Sequence, residues 1–439
     1  MIGSRDPPAE SSTSLLAANT IPRAGAGHNP SGARKGTIMS AGVALPLSPR
    51  MADLGTESAF EVLARARALE ATGRSIVHLQ IGEPDFETAP HIVEAGAKAL
   101  RDGFTHYGPT AGLPILRESV ARYVSRTRGI SVTPDEVIIT PGGKPVIYYA
   151  ILAILDRGDE AIIPDPSYPI YESVVRYLGA TPVPVPLDFD RDFRFDPNEM
   201  RRRITPRTRL IVLNSPHNPT GGVLTPSDLE AVADMAREHN LWVLVDEIYS
   251  RLIYDDGAGG RAHHSIASLP GMRERTIILD GFSKTYAMTG WRLGYGIAPA
   301  AIMPHLVRLQ VNVVSCTASF VQVAGAAALD GPQDAVDAMV KEFEARRRLV
   351  VDGLNEIDGI ECRDPGGAFY AFPRIDVPGM TSKEVADSLL MEEGVAVLSG
   401  GAFGAHGEGF LRLSFANSRD QLREGLARIR DGITRLRSR

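Results

Sequence analysis

Between Val137 and Ile297 short apolar runs alternate with segments of helical period, and this alternation limits the folds open to the chain more than any other feature. The runs are Val137 to Thr140, Ala161 to Pro164, Pro182 to Pro186, Leu210 to Leu213, Trp242 to Val245, Thr276 to Leu279 and Leu293 to Ile297. Helical patterns at Pro145 to Leu155, Ile170 to Leu178 and Pro226 to Glu238 fill gaps between them. Strands joined through helices run parallel, and parallel sheets are covered on both faces. The pattern predicts an α/β fold, a mostly parallel mixed sheet of seven strands with helices on both faces. In such sheets ligands sit outside the carboxyl ends of the strands, so chemistry is sought there.

Four strand ends carry it. Thr140-Pro141-Gly142-Gly143-Lys144 opens a helix whose first amides and dipole make an anion site, although it lacks the spacing and hydroxyl of a P-loop. Asn214 to Gly222 is a stiff loop that presents amides and Asn218. Asp246 ends the Trp242 run, with Tyr249 three residues on; taken singly, Asp246 reads equally well as a cap for the next helix. The Thr276 run ends in Asp280-Gly281-Phe282-Ser283-Lys284, and Arg292 follows eight residues after the lysine. A desolvated lysine makes Schiff bases and arginine grips phosphate oxygens in a fork, so the pair suggests a phosphate ligand that bears a carbonyl. Upstream, the short strand Ile76 to Gln80 runs into a turn where Gly82 lets backbone approach a ligand closely.

At 439 residues the chain exceeds what one core usually organises. Residues 1–49 are expected to form an extension without structure, 50–90 to join a small domain, 91–330 to form the large domain and 331–439 the small α+β domain. The last would carry a long helix from Pro332 to Asn355, strands near Ala368 to Phe372, Val395 to Leu398 and Phe410 to Phe415, and a terminal helix from Arg419. A transit peptide (Arg23, Arg34 and Lys35 for it, Asp6 and Glu10 against) and translation from Met39 or Met51 stand beside an untargeted extension for 1–49.

Hydrophobic content of 44% and charged content of 23% suit a soluble globular protein. A net charge of −6 without blocks of one sign implies neither a nucleic-acid nor a membrane-binding surface, and Arg201 to Arg203 and Arg346 to Arg348 read as solvated helix faces. Cys316 and Cys362 have no metal spacing and form no disulfide framework, which favours a reducing, cytoplasmic setting. The longest apolar run, Val146 to Leu155, falls short of the ~18 residues of a membrane span and reads as a buried helix.

Five motifs follow in order: Gly-Glu-Pro-Asp-Phe from Gly82, Asn-Pro-Thr-Gly from Asn218, Asp-Glu-Ile-Tyr from Asp246, Ser-Lys-x-x-x-x-x-Gly-x-Arg from Ser283 and Arg-Leu-Ser-Phe-Ala-Asn-Ser from Arg412. From about Leu54 onward the chain resembles the class I and II aminotransferases, fold-type-I enzymes that use pyridoxal 5'-phosphate. Within them it is most similar to the branch with bacterial aspartate and aromatic-amino-acid aminotransferases. The resemblance implies that Lys284 is the Schiff-base lysine and proton carrier, and that Asp246 bonds the pyridine nitrogen. It further implies that Tyr249 and Asn218 bond the ring hydroxyl oxygen and that Tyr168 stacks on the ring. The Gly143 and Lys144 amides, Ser283 and Arg292 would hold the phosphate, with Tyr107 reaching the phosphate of the neighbouring subunit in a homodimer. Arg412 would pair the substrate α-carboxylate, helped by the Gly82 amide.

The activity so implied is transfer of an amino group from an L-amino acid to a 2-oxo acid, 2-oxoglutarate, by ping-pong chemistry. A carbon-sulfur β-lyase on the same site is the alternative. Two departures qualify it. Lys144 stands where many members have a small residue, and either adds charge or faces solvent. Val311 to Phe320 contains no arginine, where some dicarboxylate-specific members place one. Phe369 and Tyr370 either line a side-chain pocket or pack in the core.

Overall fold

A computed structural model of the chain describes residues 37–40, 43–254 and 262–438; these divide into two units, the described residues up to Pro49 and those from Arg50 on. Within the segment expected to lack structure, Thr37–Ser40 pairs antiparallel with Val43–Pro46. Residues 1–36 of that segment lie outside the described residues.

In the second unit all seven expected strands form one sheet, and a two-residue strand, Arg194–Phe195, is added at its edge. The order across the sheet is Val137–Thr140, Gly294–Ile297, Thr276–Gly281, Trp242–Asp246, Thr208–Asn214, Glu160–Asp165, Thr181–Asp188 and Arg194–Phe195. Gly294–Ile297 and Arg194–Phe195 run against the rest. The central strands read as unbroken apolar runs because both faces are covered. From Thr208–Asn214, Ile211 and Leu213 pack on one side with Leu116, Val120 and Leu229; Leu210 and Val212 pack on the other with Val146, Ala150 and Val174. The expected helices appear at Lys144–Ile154, Ile170–Tyr177 and Pro226–Glu238, and two more, Pro90–Arg101 and Pro114–Arg128, precede the first strand of the sheet.

A further core is built by Asp334–Asn355 and Arg419–Arg437 around short strands, with Phe343, Leu354, Ile429 and Phe415 inside. Val77–His78 joins it by pairing parallel with Val395–Ala396. The arginine run on Asp334–Asn355 departs from expectation. Arg346 and Arg347 are 6% and 3% exposed rather than solvated, because they share the inner face of that helix with Phe343 and Val350. Arg346 pairs with Asp85 at 2.6 Å and Arg347 with Asp364 at 2.6 Å. Among the described residues no helix is long and apolar enough to cross a membrane.

Candidate active site

The carboxyl ends of the parallel strands open onto a cavity of about 540 Å³. Trp242–Asp246 delivers Asp246, level with Asn214 on one neighbouring strand and Leu279 on the other. Asp246 is 5% exposed; it accepts hydrogen bonds from the Tyr171 hydroxyl at 2.7 Å and the Ile248 amide at 3.0 Å. Burial outweighs both bonds and pushes its pKa up to about 6.

Lys284 follows the Thr276–Gly281 strand. Its Nζ donates to the Gly82 carbonyl at 2.5 Å and lies 5.7 Å from the Phe369 ring centre. Burial holds its pKa down to about 8; Arg412 and Arg292 push the same way and Glu83 opposes them. A lysine with such a pKa has a reactive neutral amine within reach near neutral pH.

Arg412, on the strand Leu411–Ser414, is 4% exposed. Its Nη1 donates to Asn218 Oδ1 at 3.2 Å and its Nη2 to the Gln80 carbonyl, while its Cζ lies 4.5 Å from the Tyr370 ring centre. Among the described residues neither Arg412 Nε nor Gln80 Oε1 has a hydrogen-bond partner. Burial lowers the Arg412 pKa. A buried guanidinium with an idle donor, opening on a cavity, calls for a carboxylate from outside.

Across the cavity Arg292 holds a left-handed φ of 55°, a conformation that costs a non-glycine residue about 1–2 kcal/mol. Its Nη1 is tied to the Thr289 carbonyl at 2.9 Å. A Cβ on Gly142, which has φ of 88°, would meet Arg292 Nη2 at 2.5 Å, so glycine is needed for the guanidinium to reach this turn. The turn leads into Lys144–Ile154 with Gly143 as its N-cap, and free amides, helix dipole and guanidinium together make an oxyanion cradle. On the remaining wall the Tyr249 and Tyr370 hydroxyls are 2.8 Å apart, and the Tyr168 ring meets Tyr171 edge-on with centres 5.8 Å apart.

Of the residues singled out from the sequence, Gly82, Gly143, Lys144, Tyr168, Asn218, Asp246, Tyr249, Ser283, Lys284, Arg292 and Arg412 all line this cavity. Tyr107 does not; it is 91% exposed on the surface. Tyr370 faces the cavity, whereas Phe369 is buried in the core beside it. Sequence reasoning missed Tyr171 and Glu57. Tyr171 lies three residues after Tyr168, but its reach to Asp246 depends on the order of strands. Nothing local marks Glu57, whose carboxylate pairs with Lys144 at the cavity rim.

The sequence model of the family "Aminotransferase class I and II" matches residues 74–429. The chain is similar to an aspartate aminotransferase of Pyrococcus abyssi, 44% identical over 81% of this chain and 91% of that one. It is likewise similar to aromatic-amino-acid aminotransferase 2 of Thermococcus litoralis, 43% identical over 81% and 90%. The crystal structure of an aromatic aminotransferase from Pyrococcus horikoshii superposes with a TM-score of 0.79, at 43% identity over 85% of this chain and 99% of that one. By motif, fold and these similarities, the chain belongs to the class I and II aminotransferases, enzymes that move an amino group between amino and keto acids.

Proposed function

We propose that the protein binds pyridoxal 5'-phosphate at this cavity and transfers the amino group of an L-amino acid to 2-oxoglutarate by a ping-pong route. The observation that carries this reading is the donor set. An amine of depressed pKa, a buried carboxylate, an oxyanion cradle and a buried guanidinium with an idle Nε face one cavity. The cradle suits a phosphate, because Gly142 leaves room that a Cβ would fill.

When bound, pyridoxal phosphate supplies a carbonyl that condenses with amines and a ring that draws electrons from the bonds at Cα. Lys284 Nζ would hold the carbonyl carbon and, once a substrate amine has taken its place, carry a proton to and from substrate Cα. Asp246 would bind the pyridine nitrogen and keep a proton on it. Tyr249 and Asn218 would bond the ring hydroxyl oxygen, and Tyr168 would cover the ring. Arg292, Ser283 and the Gly143 and Lys144 amides would grip the phosphate. Arg412 would pair the α-carboxylate of either substrate, with the Gly82 amide beside it, which orients Cα toward Lys284.

The same reading makes the active unit a homodimer in the cytoplasm, with Tyr107 offered to the neighbouring site. Its near-complete exposure and the exposed Val311, Val313 and Val314 favour a second copy. The test is a holoprotein titrated with single amino acids while its visible absorbance is followed. A spectral shift, with glutamate formed from 2-oxoglutarate, is expected; Lys284→Ala should lower turnover by at least ~10²–10⁴-fold. Full turnover in that variant would sink the reading. Ammonia and pyruvate from a cysteine conjugate, without glutamate, would mark a β-lyase instead.

A further inference from the structure

The charges on the cavity wall divide into those the proposed reaction uses and a remainder. Lys284, Asp246, Arg292 and Arg412 are used. The Glu57 and Glu83 carboxylates and the Lys144 ammonium are not. Glu83 accepts from the Thr289 hydroxyl. Glu57 occupies the N-cap position of the helix Ser58–Glu70 yet makes no capping bond. Its Oε1 instead takes the Tyr168 hydroxyl at 2.8 Å and pairs with Lys144 Nζ. The ammonium stands 5.8 Å from the centre of the Tyr168 ring. The Glu57 and Lys144 side chains are 25% and 45% exposed, so the pair is open to a molecule entering the cavity.

We propose that Glu57 is a specificity-determining residue: by neutralising Lys144 it turns the side-chain end of the site against substrates that carry a second carboxylate. The proposal deepens the aminotransferase reading and rests on it. With Arg412 engaged by the α-carboxylate, Arg292 by the phosphate and Lys284 by the reacting carbon, Lys144 is, among the described residues, the remaining lining cation that can meet a substrate side chain. Glu57 already holds it. An entering side-chain carboxylate must displace Glu57 or stand beside its like charge. An uncharged side chain of the same shape leaves the pair intact. Rejection through a repulsive group is as effective in setting selectivity as attraction to the preferred substrate. A dicarboxylic oxo acid is admitted only as Glu57 swings off Lys144, so its affinity carries that cost.

Aspartate and asparagine, nearly identical in shape and different in charge, make the test. Single half-reactions of the holoenzyme are followed through the cofactor spectrum for wild type, Glu57→Gln and Glu57→Asp. The ratio of kcat/KM for aspartate to that for asparagine is expected to rise at least tenfold in Glu57→Gln and to stay within threefold of wild type in Glu57→Asp. Competitive inhibition by succinate should tighten in Glu57→Gln while inhibition by butyrate does not, a readout that needs no turnover. An unchanged ratio overturns the proposal. So does a parallel fall for both donors with loss of cofactor, which would make Glu57 a strut of the cofactor site. A wild-type spectrum that answers to no amino acid overturns the aminotransferase reading itself, and the proposal with it.

Discussion

Tyr171→Phe probes a hydrogen bond that links a residue absent from every motif to the centre of the proposed chemistry. Tyr171 is fully buried and its hydroxyl donates to Asp246 Oδ2 at 2.7 Å. Phenylalanine keeps the ring and the edge contact with Tyr168 and removes only the donor. A hydrogen bond to a charged group contributes about 1.5–3 kcal/mol. At about 1.4 kcal/mol per pH unit, its loss raises the Asp246 pKa by roughly one to two pH units. Starting from about 6, the carboxyl would then be about half to nine-tenths protonated at pH 7. A neutral acid cannot support a protonated pyridine nitrogen.

The assay is the affinity of the apoprotein for pyridoxal phosphate between about pH 5 and 9, a window that brackets the folded pKa. Wild type should lose affinity as pH falls through about 6, and the variant should lose it one to two units higher. The folded pKa of Asp246 lies above its ordinary value of 3.8, so the folded apoprotein holds this proton more tightly than the unfolded chain. Its stability therefore falls as pH rises from about 4 through 6, by on the order of 3 kcal/mol, and the variant should extend that fall upward. An acid limb at the wild-type pH, in a variant with intact circular dichroism and melting, would refute the argument.

Arg412→Ala should cost about 10²-fold or more in kcat/KM for amino acids, because a buried charge-assisted pair contributes several kcal/mol, while a simple amine without a carboxylate should react as with wild type; stopped-flow half-reactions check both. Arg128→Met attacks the fold rather than the chemistry. Arg128 pairs with Glu247 at 2.8 Å and Asp280 at 2.6 Å, all at most 2% exposed in their side chains, so its loss leaves Asp280 buried without its cation and Glu247 with only His263, at 3.0 Å. Destabilisation of about 3–5 kcal/mol, measured by denaturant melting, is expected. Free Lys284 should gain reactivity toward carbonyl reagents as pH rises through about 8, read from the pH dependence of adduct formation.

Much of the fold was legible because the central strands are buried on both faces. Such strands appear as unbroken apolar runs whatever their partners, and the helices between them carry their own period. The two-residue Arg194–Phe195 strand has too little sequence to show a period. Arg346 and Arg347 look like any surface run until the core against which their helix packs is known.

The sequence by itself determined the residue types at the strand ends and the backbone freedom they need. Lys284 beyond one strand, Asp246 at the tip of another and the Gly142-Gly143 turn are local features, set by strand length and turn chemistry. The tertiary structure decided which of them meet. Strand order places the helix Ile170–Tyr177 so that Tyr171 reaches Asp246, and the path of the N-terminal segment sets Glu57 against Lys144. Protonation depends on the same arrangement: burial moves Asp246 up to about 6 and Lys284 down to about 8, and burial is a property of everything packed around a residue, which no stretch of sequence contains.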